Sequence, residues 1–256
     1  MPREGTGPDF IEALARGLEV ITVFRPGRRA MTLAEVASAA GLARPTARRI
    51  LLTLEELGYV RSDEREYSLT PRVLELGFSF LSSLSLPEIA QPHLESLSRT
   101  VGESTSASVL DGTEVVYVAR VAMRRIMTVN ITIGTRFPAH ATSMGRVLLA
   151  NLPAAAREEF LGGFGAEAFT SHTITAPDAL RNELERVREQ GWAMVDQELE
   201  FGLRSLAAPV HRRGKVVAAI NLSTAAAQAD VADTRDRLLP SLLDAARAIS
   251  DDLRHY

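Results

Sequence analysis

A cluster of hydrogen-bonding side chains lies between residues 44 and 49. Arg44, Arg48 and Arg49 are spaced so that they share one side of a helix, with Thr46 between them. A guanidinium can donate two parallel hydrogen bonds to a guanine edge, or it can bind a phosphate. The competing interpretation is a solvated surface, because arginines on helices are mostly exposed.

A second group of polar side chains lies between residues 136 and 146. Arg136 and His140 precede Ser143, and the pattern predicts a helix from Thr142 to Ala150. The unpaired N–H groups and the dipole of a helix N-terminus favour a carboxylate or a phosphate. An ordinary helix cap with a small-residue contact at Gly145 explains the same pattern. On the residues alone, this second interpretation is the better supported.

Two helices joined by a tight turn would position the first cluster. Thr32 and Glu35 have the spacing of a capping box, which predicts the start of a helix. Gly41 predicts its end, because glycine readily adopts the left-handed backbone. Pro45 then falls in the first turn of a second helix, where its missing N–H costs nothing. This order predicts a helix-turn-helix whose second helix carries the arginines.

The following residues favour nucleic-acid binding over a plain helical hairpin. Residues 58–70 predict two short strands around a polar turn, since they are rich in tyrosine and valine. Helix, turn, helix and hairpin together form a winged helix. The predicted DNA contacts are Arg28, Arg29, Arg44, Pro45, Thr46, Arg48, Arg49, Arg61 and Arg65.

Composition restricts the location and the general class of the protein. The net charge is only −3, so a DNA contact must come from a local basic patch. Cysteine is absent, which excludes disulfides and thiolate metal sites and fits a reducing cytosol. No stretch is apolar enough to span a bilayer, and residues 1–10 lack the apolar run of a signal peptide. We therefore expect a cytoplasmic protein without a membrane partner.

The N-terminal domain is expected to extend over residues 9–71. Asp9 is a candidate cap for a first helix whose apolar stripe is Phe10, Leu14, Leu18 and Ile21. Residues 72–86 predict a linker helix that is apolar on more than one side and contains Phe78 and Phe80. Packing against a partner subunit and packing inside the same chain both explain this helix.

A second domain is expected over residues 87–256. Strands are predicted at 104–110, 115–121, 126–133, 192–195, 205–211 and 216–222. Residues 134–138 are predicted as a loop, several helices separate the two groups of strands, and a long helix closes the chain. This order indicates an α+β domain with a mostly antiparallel sheet.

Motifs of enzymes, metal sites and cofactor sites are missing. The sequence contains no Walker loop, dinucleotide fingerprint, His-Glu-x-x-His or Gly-x-Ser-x-Gly. The five histidines are scattered, which is more typical of structural or surface residues than of ligands. We therefore predict neither catalytic residues nor a cofactor.

The chain resembles IclR-family transcriptional regulators over nearly its whole length. The resemblance is carried by the winged-helix opening, the linker helix, HATSMGRVLLA at residues 140–150 and DQELEFGLRSLAAPV at residues 196–210. It implies a C-terminal domain similar to GAF domains that binds a small effector, often a carboxylic acid. It also implies a homodimer or homotetramer. The loop GTRFP at residues 134–138 looks most like the subgroup that controls protocatechuate and β-ketoadipate catabolism.

The resemblance also implies where an effector would bind. Ser143 and Met144 match positions where family members line the effector cavity at the start of a helix. Asp196 and Ser205 match cavity positions on the strand segments that follow. Asn221 and Ser223 match cavity positions on the last strand. Strand alternation directs these last two side chains to one face. Relatives carry cysteine at the position of Ser205, and some carry a smaller residue at the position of Asn221. The identity of the effector therefore cannot be transferred from these relatives. The predicted effector site is Arg136, His140, Ser143, Met144, Asp196, Ser205, Asn221 and Ser223.

The sequence therefore predicts a transcription factor that binds operator DNA and a small carboxylate. One alternative is an enzyme that processes a small acid and uses the winged helix only for assembly. Another is a structural DNA binder without an effector. The sequence does not distinguish an activator from a repressor.

Overall fold

The computed structural model describes residues 7, 9–25, 29–63, 65–76, 86–123, 131–165 and 167–255. The chain divides into two units, Met1–Ser83 and Leu84–Tyr256. Among the described helices, none is both long and apolar enough to cross a membrane.

Three helices and a small sheet build the N-terminal unit. They are α1 (Glu12–Thr22), β1 (Ala30–Thr32), α2 (Leu33–Ala39), α3 (Arg44–Glu56), β2 (Val60–Asp63) and β3 (Glu66–Leu69). The strands are antiparallel in the order β1-β3-β2. Val20, Val36, Leu51 and Val60 lie at the centre of the core, so each of the helices contributes to it.

The caps predicted from the sequence are present in the helix-turn-helix. Thr32 is the N-cap of α2. Its hydroxyl accepts the backbone N–H of Glu35, and the Glu35 carboxylate accepts the backbone N–H of Thr32. Gly41 has a φ of +63°, and Pro45 lies in the first turn of α3. The predicted cap of the first helix is wrong. Ile11 occupies that position, because α1 begins only at Glu12, and no side chain caps the helix.

The C-terminal unit places helices around one sheet. Its elements are α4 (Leu86–Val101), β4 (Ser104–Asp111), β5 (Glu114–Val121), β6 (Arg136–Pro138), α5 (Ser143–Ala150), α6 (Ala154–Gly162), α7 (Pro177–Gln190), β7 (Ala193–Asp196), β8 (Leu203–Arg212), β9 (Lys215–Ala225) and α8 (Val231–Asp252). The strand order is β6-β5-β4-β9-β8-β7, and each pair between described strands is antiparallel. The predicted α+β fold is confirmed.

The two faces of the sheet differ in character. Thr105 on β4 faces α4, where its hydroxyl donates to the Leu94 carbonyl at 2.9 Å. Its neighbours Ser104 and Ser106 therefore point to the opposite face, which α5 covers. The face that α5 covers is therefore polar at its centre.

The β8–β9 hairpin is the longest strand pairing of the described sheet. Arg213 and Gly214 form its two-residue loop, with φ values of 51° and 75°. Such a loop with two positive φ angles matches the twist of the flanking strands.

Two element boundaries differ clearly from the predictions. Residues 136–138 form β6 rather than a loop, since they pair with β5. Pro87 lies in the first turn of α4, which begins at Leu86, and proline is tolerated there. Residues 126–130 of the predicted third strand, and 77–85 of the linker helix with Phe78 and Phe80, lie outside the described residues.

Candidate nucleic-acid interface and effector cavity

Helix α3 presents a basic face to solvent. Ala47, Leu51 and Leu54 are buried against the rest of the N-terminal unit. Arg44, Pro45, Arg48 and Arg49 are exposed on the other side, and Thr46 is half-buried. Within the described residues, these three arginines form no salt bridge, so their guanidinium groups are available to a ligand.

The hairpin after α3 adds further cations. Arg61 is exposed on β2, where its Nε donates to the Ser68 hydroxyl at 3.0 Å. Arg65 is exposed in the turn, and Arg29 is exposed immediately before β1. Arg28 lies outside the described residues. A helix with a basic face followed by a basic hairpin is suited to contact bases and phosphates of a DNA duplex.

A small cavity lies between the start of α5 and the polar face of the sheet. It is lined by Tyr117, Ile131, Ala141, Thr142, Ser143, Val195, Leu199, Leu203, Ser205, Asn221 and Ser223. The centre of a water molecule can occupy only about 20 Å³ of it, which is room for about one water. A larger ligand can enter only if the lining moves apart.

Two buried polar atoms of the cavity have no hydrogen-bond partner among the described residues. They are Ser143 Oγ and Asn221 Oδ1, on side chains that are 1% and 4% exposed as residues. The amide nitrogen of Asn221 donates to the Ser223 hydroxyl at 3.2 Å. Because an unpaired buried polar group costs about 1–3 kcal/mol, such groups indicate a site that a ligand completes.

The structure brings together four of the eight predicted effector residues. Ser143, Ser205, Asn221 and Ser223 all line the cavity, although α5, β8 and β9 lie far apart in sequence. Thr142, which was not predicted, lies beside them and caps α5 by accepting the Gly145 N–H at 3.1 Å.

Three other predicted residues have different surroundings. Arg136 is exposed, and its hydrogen bonds to Glu114 and Asp111 raise the pKa of its guanidinium. Met144 is fully buried in the hydrophobic core. The side chain of Asp196 accepts the Nε–H of Arg204 at 2.8 Å. None of the three lines the cavity as described.

The eighth predicted residue, His140, belongs to an aromatic cluster. Its ring lies 5.1 Å from that of Phe164 and 6.1 Å from that of Phe169, measured between centroids. Burial lowers the pKa of His140, and the nearby charge of Arg146 lowers it further. The imidazole is therefore held neutral, and its Nε2 has no hydrogen-bond partner among the described residues.

A buried ion pair connects α5 to the loop that covers the cavity. Arg146 is 1% exposed and donates from Nη2 to the Glu198 carboxylate at 2.5 Å and from Nε to the His140 carbonyl at 2.9 Å. Glu198 also accepts the Ile174 N–H at 3.0 Å. The ion pair therefore joins α5 to Glu198, the neighbour of the cavity-lining Leu199. Sequence analysis did not single out this pair.

Arg120 on β5 was also missed. Its Nη1 donates to the Ser106 hydroxyl at 3.1 Å, while its Nε has no partner. Burial lowers the pKa of Arg120 and raises that of the neighbouring Tyr117 to about 12. No carboxylate of the described residues pairs with Arg120. The serines at every second position from 104 to 108 were the available signal, because a strand places them on one face.

Two family models together match most of the chain. The IclR helix-turn-helix domain matches residues 13–64, and the bacterial transcriptional regulator IclR C-terminal domain matches residues 78–251. The chain belongs to the IclR family of bacterial transcriptional regulators. This membership confirms the resemblance drawn from the sequence.

Individual relatives agree with the family assignment. The chain is 42% identical to the Pca regulon regulatory protein of Pseudomonas putida, over 96% of this chain and 85% of that protein. It is 35% identical to the p-hydroxybenzoate hydroxylase transcriptional activator of Acinetobacter baylyi, over 94% and 91% of the two chains. A crystal structure of an IclR homologue from Microbacterium hydrocarbonoxydans, complexed with 4-hydroxybenzoate, superposes with a TM-score of 0.86 at 29% identity, over 95% and 100%.

These relatives are regulators, and the enzyme alternative receives no support from them. The protein is a DNA-binding transcriptional regulator with an N-terminal helix-turn-helix and a C-terminal domain of the family's effector-binding type.

Proposed function

We propose that the protein controls genes of aromatic-compound catabolism in response to a small carboxylic acid that binds in the cavity beneath α5. The observation that carries this proposal is the pair of buried, unpaired atoms, Ser143 Oγ and Asn221 Oδ1, that face one cavity. Two relatives are a Pca regulon regulator and an activator named for p-hydroxybenzoate hydroxylase, and a third was crystallised with 4-hydroxybenzoate. These names favour an aromatic acid or its ring-cleavage product.

The closed cavity supports control by a change of conformation. An acid with a benzene ring is much larger than one water, so its binding moves α5 and the loop at Leu199 apart. The Arg146–Glu198 ion pair transmits this movement, because it joins the two sides. An effector shifts operator binding only if it binds one conformation of the protein more tightly than the other.

We also propose that the regulator acts as a homodimer or homotetramer through its first helix. Leu14 and Leu18 on α1 are 60% and 52% exposed, and Phe10 and Ile11 extend the same apolar surface. Apolar patches of this kind mark interaction sites in soluble proteins. A second copy of the chain would cover this surface, and two copies would present two α3 helices to a palindromic operator.

The DNA-binding proposal is tested by Arg48→Ala and Arg49→Ala. Both side chains are exposed on α3 and form no ion pair with the described residues, so we expect weaker operator binding with an unchanged melting temperature. Loss of a base contact costs about 1–3 kcal/mol and relaxes specificity at one position. Loss of a phosphate contact weakens all sequences alike and lowers the salt slope by about one. Fluorescence anisotropy at several salt concentrations measures both effects.

Arg99→Ala is the matched control for this experiment. Arg99 is exposed near the end of α4 in the other unit. It should bind the operator like the unmodified protein. Normal affinity in both α3 variants would refute the assignment of this helix to the DNA groove.

The effector site is tested by Ser143→Leu and Ser143→Ala. The leucine fills the closed cavity, so the response of operator binding to the acid should be lost while DNA affinity is retained. The alanine removes only the hydroxyl, so it should weaken the effector about tenfold, since one hydrogen bond contributes roughly 0.5–1.5 kcal/mol. Calorimetry with the purified full-length protein measures acid binding directly.

Ser96→Leu is the corresponding control, because Ser96 is exposed on α4. It introduces the same side chain away from the cavity and should leave acid binding unchanged. Equal acid affinity in Ser143→Leu and in the unmodified protein would exclude this cavity as the effector site.

A further inference from the structure

One loop contributes an apolar wall to the closed cavity. Residues 197–202 connect β7 to β8 and are called the 197–202 loop below. Leu199 of this loop lines the cavity next to Leu203, the first residue of β8. Most of the other described lining residues lie in paired strands or at the start of α5. A loop can move at lower cost than a strand held by a ladder of hydrogen bonds, so this wall is the first candidate for an entrance.

The first two residues of the 197–202 loop are held firmly. The Glu198 carboxylate accepts the buried Arg146 guanidinium at 2.5 Å, and the Glu198 carbonyl accepts the Thr173 hydroxyl at 2.6 Å. The Gln197 carbonyl accepts the Thr170 hydroxyl at 2.7 Å. Because several of these bonds are buried and one is charge-assisted, this part of the loop is fixed to its neighbours.

The tip of the same loop is held weakly. Leu199 and Phe201 form no hydrogen bond with the described residues. Phe201 is 61% exposed, and its ring lies edge-to-face against that of His172, with centroids 6.0 Å apart. One exposed ring contact contributes less than a set of buried charge-assisted hydrogen bonds. Residues 199–201 can therefore open while Glu198 stays in place.

Gly202 has the properties of a hinge for this tip. Its φ is +81°, and glycine has the widest choice of backbone angles. Its carbonyl accepts the Ala226 N–H at 2.8 Å, which fixes the side of Gly202 that leads into β8. Its own N–H donates to the Gln197 side chain at 3.1 Å. Rotation at Gly202 therefore breaks one exposed hydrogen bond and leaves the strand pairing intact.

We propose that residues 199–201 form a lid over the cavity, with the contact between Phe201 and His172 as its latch and Gly202 as its hinge. The lid admits a ligand by swinging Leu199 out of the cavity wall. This opening requires no break in the Arg146–Glu198 ion pair. The inference rests on the proposed function, because it gives the route into the same cavity.

A thiol introduced into the cavity tests the lid without any ligand, since the chain contains no cysteine. Ser205→Cys places this thiol on the cavity wall, where Ser205 is 7% exposed. The rate of alkylation by iodoacetamide, followed by mass spectrometry of the full-length protein, then reports how often the cavity opens. Adding Phe201→Ala should raise this rate at least threefold, because the latch is lost. Adding Val231→Ala, at an exposed apolar residue far along the chain, should leave the rate unchanged.

A second thiol distinguishes lid opening from general loosening of the domain. Thr105→Cys places it at a fully buried position on the other face of the sheet. Its alkylation rate should be the same with and without Phe201→Ala. An unchanged rate at the cavity thiol, or an equal increase at both thiols, would overturn the lid. Neither result depends on an acid, so failure of the lid leaves the proposed function standing, and failure of acids to bind in calorimetry would refute the proposed function alone.

Discussion

A single buried residue, His140, should make the stability of the protein depend on pH. Burial among aromatic rings and the charge of Arg146 lower the pKa of His140 in the folded state. The unfolded chain therefore binds this proton more readily than the folded chain does. The free energy of unfolding should be highest when His140 is neutral in both states and should fall as the pH decreases below about 6.5.

His140→Phe tests this pH dependence. Phenylalanine keeps an aromatic ring beside Phe164 and cannot take a proton, so the decline in the free energy of unfolding below pH 6.5 should become smaller. Urea denaturation between pH 7.5 and 5.5 provides the measurement. His211→Phe is the control, because His211 is exposed. A decline as steep in His140→Phe as in the unmodified protein would disprove the assignment.

At the same scale, the sequence predicted which residues line the cavity where strand alternation determines their positions. Asn221 and Ser223 share a face because they are two residues apart on one strand. Arg136 was placed near the effector because it is close to Ser143 in sequence. Its guanidinium instead pairs with Asp111 and Glu114 across a turn. Sequence proximity does not determine side-chain direction, and a pairing across strands cannot be recognised before the register is known.

At the scale of elements, the packing of α5 depends on one glycine. A Cβ added to Gly145 would lie 2.1 Å from the carbonyl oxygen of Ala139, in the short helical turn that precedes α5. Backbone atoms cannot move aside as a flexible side chain can. The close approach of this turn to α5 therefore requires glycine, which explains the small-residue contact expected from the sequence.

Gly145→Ala should destabilise the C-terminal unit by about 3 kcal/mol, at the upper end of ordinary overpacking. Because α5 lines the cavity, effector binding should be lost as well. Gly162→Ala is the matched control, since no atom lies within 4 Å of its added Cβ, and its melting temperature should not fall. Calorimetric melting curves of the two variants give the comparison, and equal curves would contradict the steric argument.

Some helix ends were predictable from local signals, whereas strand β6 was not. The capping box at Thr32 and the left-handed Gly191 act within a few residues, so the sequence contains the information directly. Strand β6 forms only because β5 provides hydrogen-bonding partners for residues 136–138. Such pairing depends on residues distant in the chain, which a local pattern does not contain.

At the scale of the whole molecule, the proposed assembly through the exposed face of α1 can be tested directly. Leu14→Asp and Leu18→Asp should shift the protein towards monomer, because each places a charge within an apolar contact. Sedimentation velocity measures the mass, and operator affinity should fall in parallel if two α3 helices bind together. Val231→Asp changes an apolar residue of the other unit that is also exposed, at 47%, and should leave the mass unchanged. An unchanged mass in both α1 variants would show that α1 takes no part in assembly.

The β8–β9 hairpin has a consequence for the order in which the cavity forms during folding. Its strands are adjacent in sequence and are joined by only two residues, so their pairing requires little loop closure and forms early, as hairpins do within roughly 1–10 μs. This hairpin carries Ser205, Asn221 and Ser223. The helix that carries Ser143 is distant in sequence and docks only with the late, long-range contacts. The sheet side of the cavity should therefore form before α5 covers it, and α5 is expected to be the part that opens first in local unfolding.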